Sequence, residues 1–127
     1  MALLFLLGRV LFGGYFVMSG INHFRNHLML TQYAQFKGVP SPGLAVYLTG
    51  LMLILGGAGI LLGVKIGWSV LLLTIFLIAV SFKLHNFWTI SDPMAKLPDM
   101  INFLKNMALI GAVLMMLMIP TPWPFSL

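Results

Sequence analysis

The chain has 127 residues, 61% of them hydrophobic and only 7% charged. A soluble domain carries about a quarter charged residues, so this composition excludes a soluble globular protein and predicts one integral membrane domain over residues 1–127. The net charge of +5 comes from seven basic residues against two acidic ones; the basic residues sit singly or in pairs beside apolar runs, which speaks for loop ends at a membrane and against nucleic-acid binding.

Four apolar segments reach about the 20 residues that cross a bilayer: 3–21, 43–63, 66–84 and 100–119. The predicted fold class is therefore all-α, an integral membrane four-helix bundle. The first segment has no basic leader and no small-x-small cleavage pattern after it, so it reads as a retained helix rather than a signal peptide. It carries Arg9 inside the apolar run. An arginine at mid-membrane costs about 3 kcal/mol on insertion scales, so something must compensate it. One set of answers is structural: snorkelling to the interface, or bonds to Ser69, Thr49, Thr74 or free carbonyls in the bundle. The other is functional: an acidic or quinone-like ligand, or a carboxylate from a partner subunit. Asp92 and Asp99 fall toward the opposite end of the bundle, so neither is expected to pair with Arg9.

The first span ends in Asn22, His23, Arg25, Asn26 and His27. His23 and His27 share a face if the helix continues. A metal held by them with Asp92, or a haem between His23 and His85, is geometrically conceivable. With no H-E-x-x-H pattern, no cysteine and no surplus of carboxylates, neither metal nor haem is expected, and no residue is assigned as catalytic. From 27 to 37, Leu28, Met29, Tyr33 and Phe36 fall at helical spacing before Gly38 and Pro40, which predicts a short amphipathic helix in the interface. The second span is rich in glycine, including G-x-x-x-G from Gly59 to Gly63. Gly13, Gly14, Ser19 and Gly20 on the first span, and Ala108, Gly111 and Ala112 on the fourth, offer further small faces for close packing. Val64 and Lys65 make a tight hairpin between the second and third spans.

The third span ends in Lys83-Leu84-His85-Asn86-Phe87-Trp88, with Lys105 and Asn106 of the fourth span able to approach it. A quinone head group needs donors for its carbonyls and aromatic packing for its ring, and this cluster has both; an interfacial aromatic belt is the plainer reading. The candidate ligand- or partner-binding residues are thus Arg9, His23, His85, Asn86, Trp88, Lys105 and Asn106. Ser91-Asp92-Pro93 and Leu97-Pro98-Asp99 read as turns, the first capping a short helix. Met115, Met116 and Met118 read as core filling rather than copper(I) ligands. The proline-rich tail cannot be regular helix, and its Trp123 reads as an interfacial anchor, like Trp68 and Trp88. Arg25, Lys37, Lys83, Lys96 and Lys105 lie on one side of the membrane and Lys65 on the other. Loops one and three are therefore expected in the cytoplasm and both termini outside.

The run GRVLFGGYFVMSG at 8–20 resembles the opening helix of the DoxX family of small bacterial and archaeal membrane proteins. FKGVP at 36–40, GGAGILLG at 56–63, HNFW at 85–88 and KNMALIG at 105–111 are similar to that family in order and spacing. The resemblance implies a four-helix bundle in a bacterial or archaeal cytoplasmic membrane, and it matches Arg9 and His85 to polar positions of the family pattern. It also implies a link to quinol oxidase and thiosulfate:quinone oxidoreductase systems. The expected function is a non-catalytic accessory subunit of a membrane redox complex, packed against partner subunits in the lipid bilayer and holding lipid or quinone. A quinone-reactive oxidoreductase of the DoxX type is the alternative, and a homo-oligomeric carrier or pore the third.

Overall fold

The computed structural model describes residues 1–127. The chain forms α1 (Ala2–Arg25), α2 (His27–Phe36), α3 (Pro42–Leu62), α4 (Ile66–Lys83) and α5 (Pro93–Met115), with short 3-10 turns at Phe87–Thr89 and Met116–Met118. It has no strand. Four helices are long and apolar enough to cross a membrane: α1, α3, α4 with its following turn, and α5 with the turn after it.

Each long helix buries one stripe. On α1 it is Arg9, Gly13, Phe16 and Gly20, at the spacing that keeps one helical face inward. That face lies along α3. A Cβ on Gly13 would stand 2.6 Å from the Gly57 carbonyl oxygen, and one on Gly20 would stand 2.6 Å from that of Gly50. Two glycine pairs, each seven residues apart on both helices, thus set the close antiparallel approach of α1 and α3. The other face of α3 meets α4: a Cβ on Gly59 would overlap Ser69 Oγ, and one on Gly56 would press on Leu73. The predicted small faces of the first and second spans are used, although Gly59 meets α4 and Gly63 ends the helix. The small face of the fourth span is not used, because Gly111 has nothing within 4 Å of its missing Cβ and Ala108 is exposed.

The helices pack in the order α1, α3, α4, α5, with α2 lying against α3. Phe16, Leu53, Ile60, Leu73, Leu77 and Val113 form the centre of the core. Between α1 and α5 no such backbone approach closes the bundle. A cavity of about 120 Å³ lies along that seam, walled by Tyr15, Ser19, Lys105 and Asn106 among others.

The boundaries differ from expectation in one main place. The fourth long helix starts at Pro93 rather than near residue 100. Asp92 caps it by accepting from the Met94 N–H at 3.4 Å, and Pro93 suits its first turn, where no N–H is needed. The helix then continues through Pro98, so Leu97-Pro98-Asp99 is helical and not a turn. The tail also departs from the reading. Trp123 is only 2% exposed, packs edge-on to Phe5 at 5.0 Å between ring centres, and belongs to the core rather than the interface. Met115 and Met118 are exposed on the outer surface and fill no core.

Candidate functional site

Arg9 is 3% exposed. Its Nε donates to the Ile60 carbonyl at 3.2 Å, its Nη2 to those of Leu61 at 2.8 Å and Phe125 at 3.3 Å, and its Nη1 to that of Pro124. Phe5 and Trp123 flank the guanidinium, with ring centres 5.8 and 5.7 Å from Cζ. The last turn of any helix leaves its carbonyls without intrahelical donors. Here every one finds a donor. Gly59 accepts from the N–H groups of Gly63 and Val64, Ile60 and Leu61 from Arg9, and Leu62 from the N–H of Leu127. The positive charge also sits at the negative end of the α3 dipole. Gly63 makes the geometry possible: its φ of +73° is left-handed, and a Cβ there would come within 2.9 Å of Arg9 Nη2. Of the readings open for Arg9, free carbonyls is the one found, and the hydroxyls of Thr49, Ser69 and Thr74 are not its partners.

The polar residues of the other end converge. Asp99, 8% exposed, holds two partners: Lys37 Nζ at 2.8 Å on one carboxylate oxygen and His85 Nδ1 at 3.0 Å on the other. Neither Lys37 nor Asp99 stood out in the sequence. They lie 62 residues apart, and only the start of α5 at Pro93 brings Asp99 inside a helix facing the bundle. His23 Nδ1 donates to the Val46 carbonyl at 3.1 Å, with Thr49 Oγ1 at 3.2 Å. His27 turns away from His23: its Nε2 donates to the Gly43 carbonyl at 2.9 Å and its ring stacks on Tyr47. Asp92 is occupied as a helix cap. No three histidine or aspartate side chains come together as a metal site would need.

A larger, mostly apolar cavity of about 320 Å³ opens between these groups. Its roof is α2, through Leu30, Tyr33 and Ala34, and its walls come from α3 and α4. His23 and His85 both line it. Phe76, Val80 and His85 border this cavity and the smaller seam cavity alike, so they form the partition between the two. Burial pushes the Tyr33 phenol above its ordinary pKa; nearby Lys37 opposes this and Asp99 adds to it, so the hydroxyl stays protonated.

Of the residues predicted from sequence, His23, His85, Lys105 and Asn106 meet around these two cavities. Arg9 lies at the far end of the bundle. Asn86 and Trp88 border neither cavity. The Asn86 carbonyl accepts from Thr89 Oγ1 at 2.9 Å, and Trp88, 51% exposed, packs with Phe82, Phe87 and Phe103 in an aromatic cluster on the outer surface.

No curated protein and no solved structure matches the chain. The sequence profile of the DoxX family matches residues 4–86, which takes in α1 through α4 and both cavity histidines. With four long apolar helices arranged around that stretch, the chain is a multi-pass membrane protein and belongs to the DoxX family.

Proposed function

We propose that this protein binds a quinone-class molecule in the cavity beneath α2 and works as an accessory subunit of a membrane redox complex. One observation carries the reading: an apolar chamber of about 320 Å³ with two imidazoles on its wall. A cavity of about 150 Å³ lined by apolar side chains already accepts benzene, so this one has room for a substituted ring. Ring binding needs apolar walls with a few convergent polar groups, and His23 and His85 supply them. With no cysteine in the chain, no thiol couple takes part, and the electrons of a quinone couple come from a partner subunit. Arg9 is not the partner-facing group in this reading, since it is 3% exposed and already donates to four carbonyls of its own chain.

The basic residues Arg25, Lys37, Lys83 and Lys96 belong to the histidine end, which supports an orientation with that end in the cytoplasm and both termini outside. A reporter fused to the C-terminus checks this, and cytoplasmic activity of the reporter reverses the orientation. The ligand reading is tested by gentle solubilisation from the native membrane followed by native mass spectrometry and lipid extraction. Bound quinone near one per chain, within a defined complex, is the expected result. A lone protein sinks the accessory role, and protein free of quinone sinks the ligand. The same His85–Asp99 contact favours a second reading, a quinone-reactive oxidoreductase: there His85→Ala lowers turnover at unchanged expression, whereas for a passive subunit it lowers only quinone retention.

A further inference from the structure

The protons on the two cavity imidazoles are assigned by their partners. A neutral imidazole carries one N–H, and the nitrogen facing an acceptor must hold it. His23 Nδ1 faces the Val46 carbonyl, which can only accept. Its other neighbour, Thr49 Oγ1, already donates to the Ala45 carbonyl at 2.7 Å, so toward the ring it also accepts. His85 Nδ1 faces the Asp99 carboxylate. Lys37 holds the second oxygen of that carboxylate, and Lys83 and Lys105 border the cavities on either side. As neutral rings, both histidines carry hydrogen on Nδ1, and each turns a bare Nε2 lone pair to its surroundings. Neither Nε2 has a hydrogen-bond partner within the protein, and neither is among the sealed, unpartnered polar atoms, so both are reachable.

We infer that the cavity recognises its ligand through the ligand's hydroxyl donors, and so binds a hydroquinone in preference to the corresponding quinone. This rests on the ligand reading above. Two hydroxyls across a ring match two acceptors, whereas two carbonyls would meet lone pair against lone pair. The donors that also border the cavity, Tyr33 and Lys83, belong to exposed residues at its rim. Asp99 is a positioning residue in this scheme: it fixes which nitrogen of His85 faces the ligand.

The test uses the full chain purified in mild detergent under anaerobic conditions, with decylubiquinol and decylubiquinone as a matched pair of probes in equilibrium dialysis. The hydroquinone is expected to bind at least about tenfold more tightly, a modest figure beside the discrimination reached by sites built to hydrogen-bond a hydroxyl. Equal binding, or tighter binding of the quinone, overturns the inference and leaves the ligand reading standing. Binding of neither form overturns both. Nitrogen-15 spectra of histidine-labelled protein give an independent readout, with Nδ1–H rings expected at both positions; an Nε2–H ring at either refutes the assignment. Asp99→Asn presents an N–H to His85 Nδ1, moves the ring proton to Nε2 and is expected to erase the preference. An unchanged preference in that variant removes Asp99 from the scheme. The wild-type comparison decides the main point whether or not the variant folds.

Discussion

The two ends of the bundle neutralise a buried charge in opposite ways. At one end Arg9 gives its hydrogens to four backbone carbonyls, two from the end of α3 and two from the tail. At the other end Asp99 takes its hydrogens from two side chains, Lys37 and His85. Backbone carbonyls neither titrate nor leave, so the Arg9 end is closed, and it ties α1, α3 and the C-terminus together. Side-chain partners have further atoms to offer, and His85 offers Nε2 beside a cavity. An ionisable group inside a membrane span is thus a functional candidate only until its contacts are known.

The largest expected effect breaks the closed end. Arg9→Leu strips donors from the buried carbonyl of Ile60 and the part-buried carbonyl of Leu61. Each buried unsatisfied group costs about 1–3 kcal/mol, so the variant should lose about 3 kcal/mol or more and accumulate poorly. Thermal unfolding in detergent measures it. Arg9→Lys should recover only part, because an ammonium cannot spread donors over the same fork of carbonyls. Quinone retention in whatever fraction folds should match the wild type; a selective loss of retention would join the two ends after all.

Next comes the seam that holds both ends in register. Gly57→Ala puts a Cβ 2.7 Å from the Gly13 carbonyl oxygen and 2.8 Å from the Val17 nitrogen, both backbone atoms of α1 that cannot swing aside. Overpacking of this kind costs about 1–3 kcal/mol. The same substitution at Gly14, which has open space around it, should cost nothing, and the pair compared by thermal unfolding isolates the helix contact from any general effect of losing glycine.

Asp99→Ala should destabilise the open end by a smaller amount, about 1–2 kcal/mol, since its two partners, though largely buried, keep 13% and 15% of their side-chain surface exposed. Its main signature should be functional: weaker retention of bound quinone, measured by extraction, at near-normal yield. If stability fell as far as in Arg9→Leu, the contrast between the ends would be lost.

The sequence made one end more legible than the other. Spans were readable because hydropathy over about 20 residues survives any packing detail. The helix start at Pro93 was harder, because the polar residues Lys96 and Asp99 dilute its hydropathy although Asp92 and Pro93 signal a start. Free carbonyls stood among the readings for Arg9, but not which ones: every residue has a carbonyl, and only the ending of α3 at Leu62 and the fold of the tail select those that count. Trp123 misled because a tryptophan near a span end is usually interfacial, while here the tail folds back over Phe5. At the histidine end the residue types themselves carry the chemistry, so His23, His85, Lys105 and Asn106 could be picked out, and only Lys37 and Asp99, joined over 62 residues, were missed.

The smallest expected effect concerns a surface neither end uses. Ala108 is exposed on α5, and the missing Cβ of neighbouring Gly111 has nothing within 4 Å. In the purified chain Gly111→Ala should therefore change stability by no more than about 1 kcal/mol, and in the favourable direction, because alanine is the better helix former and meets no neighbour. Thermal unfolding of the isolated protein checks that. Gly111→Leu should be similarly quiet in detergent, where the added bulk points away from the bundle. Running the bulky variant in the native membrane then sharpens the contrast between a lone bundle and an assembled one. For a face that meets only lipid, the leucine leaves the native complex intact. If it dissolves the complex while the purified chain stays stable, a partner helix packs on α5, and the accessory role gains a docking face independent of both charged ends.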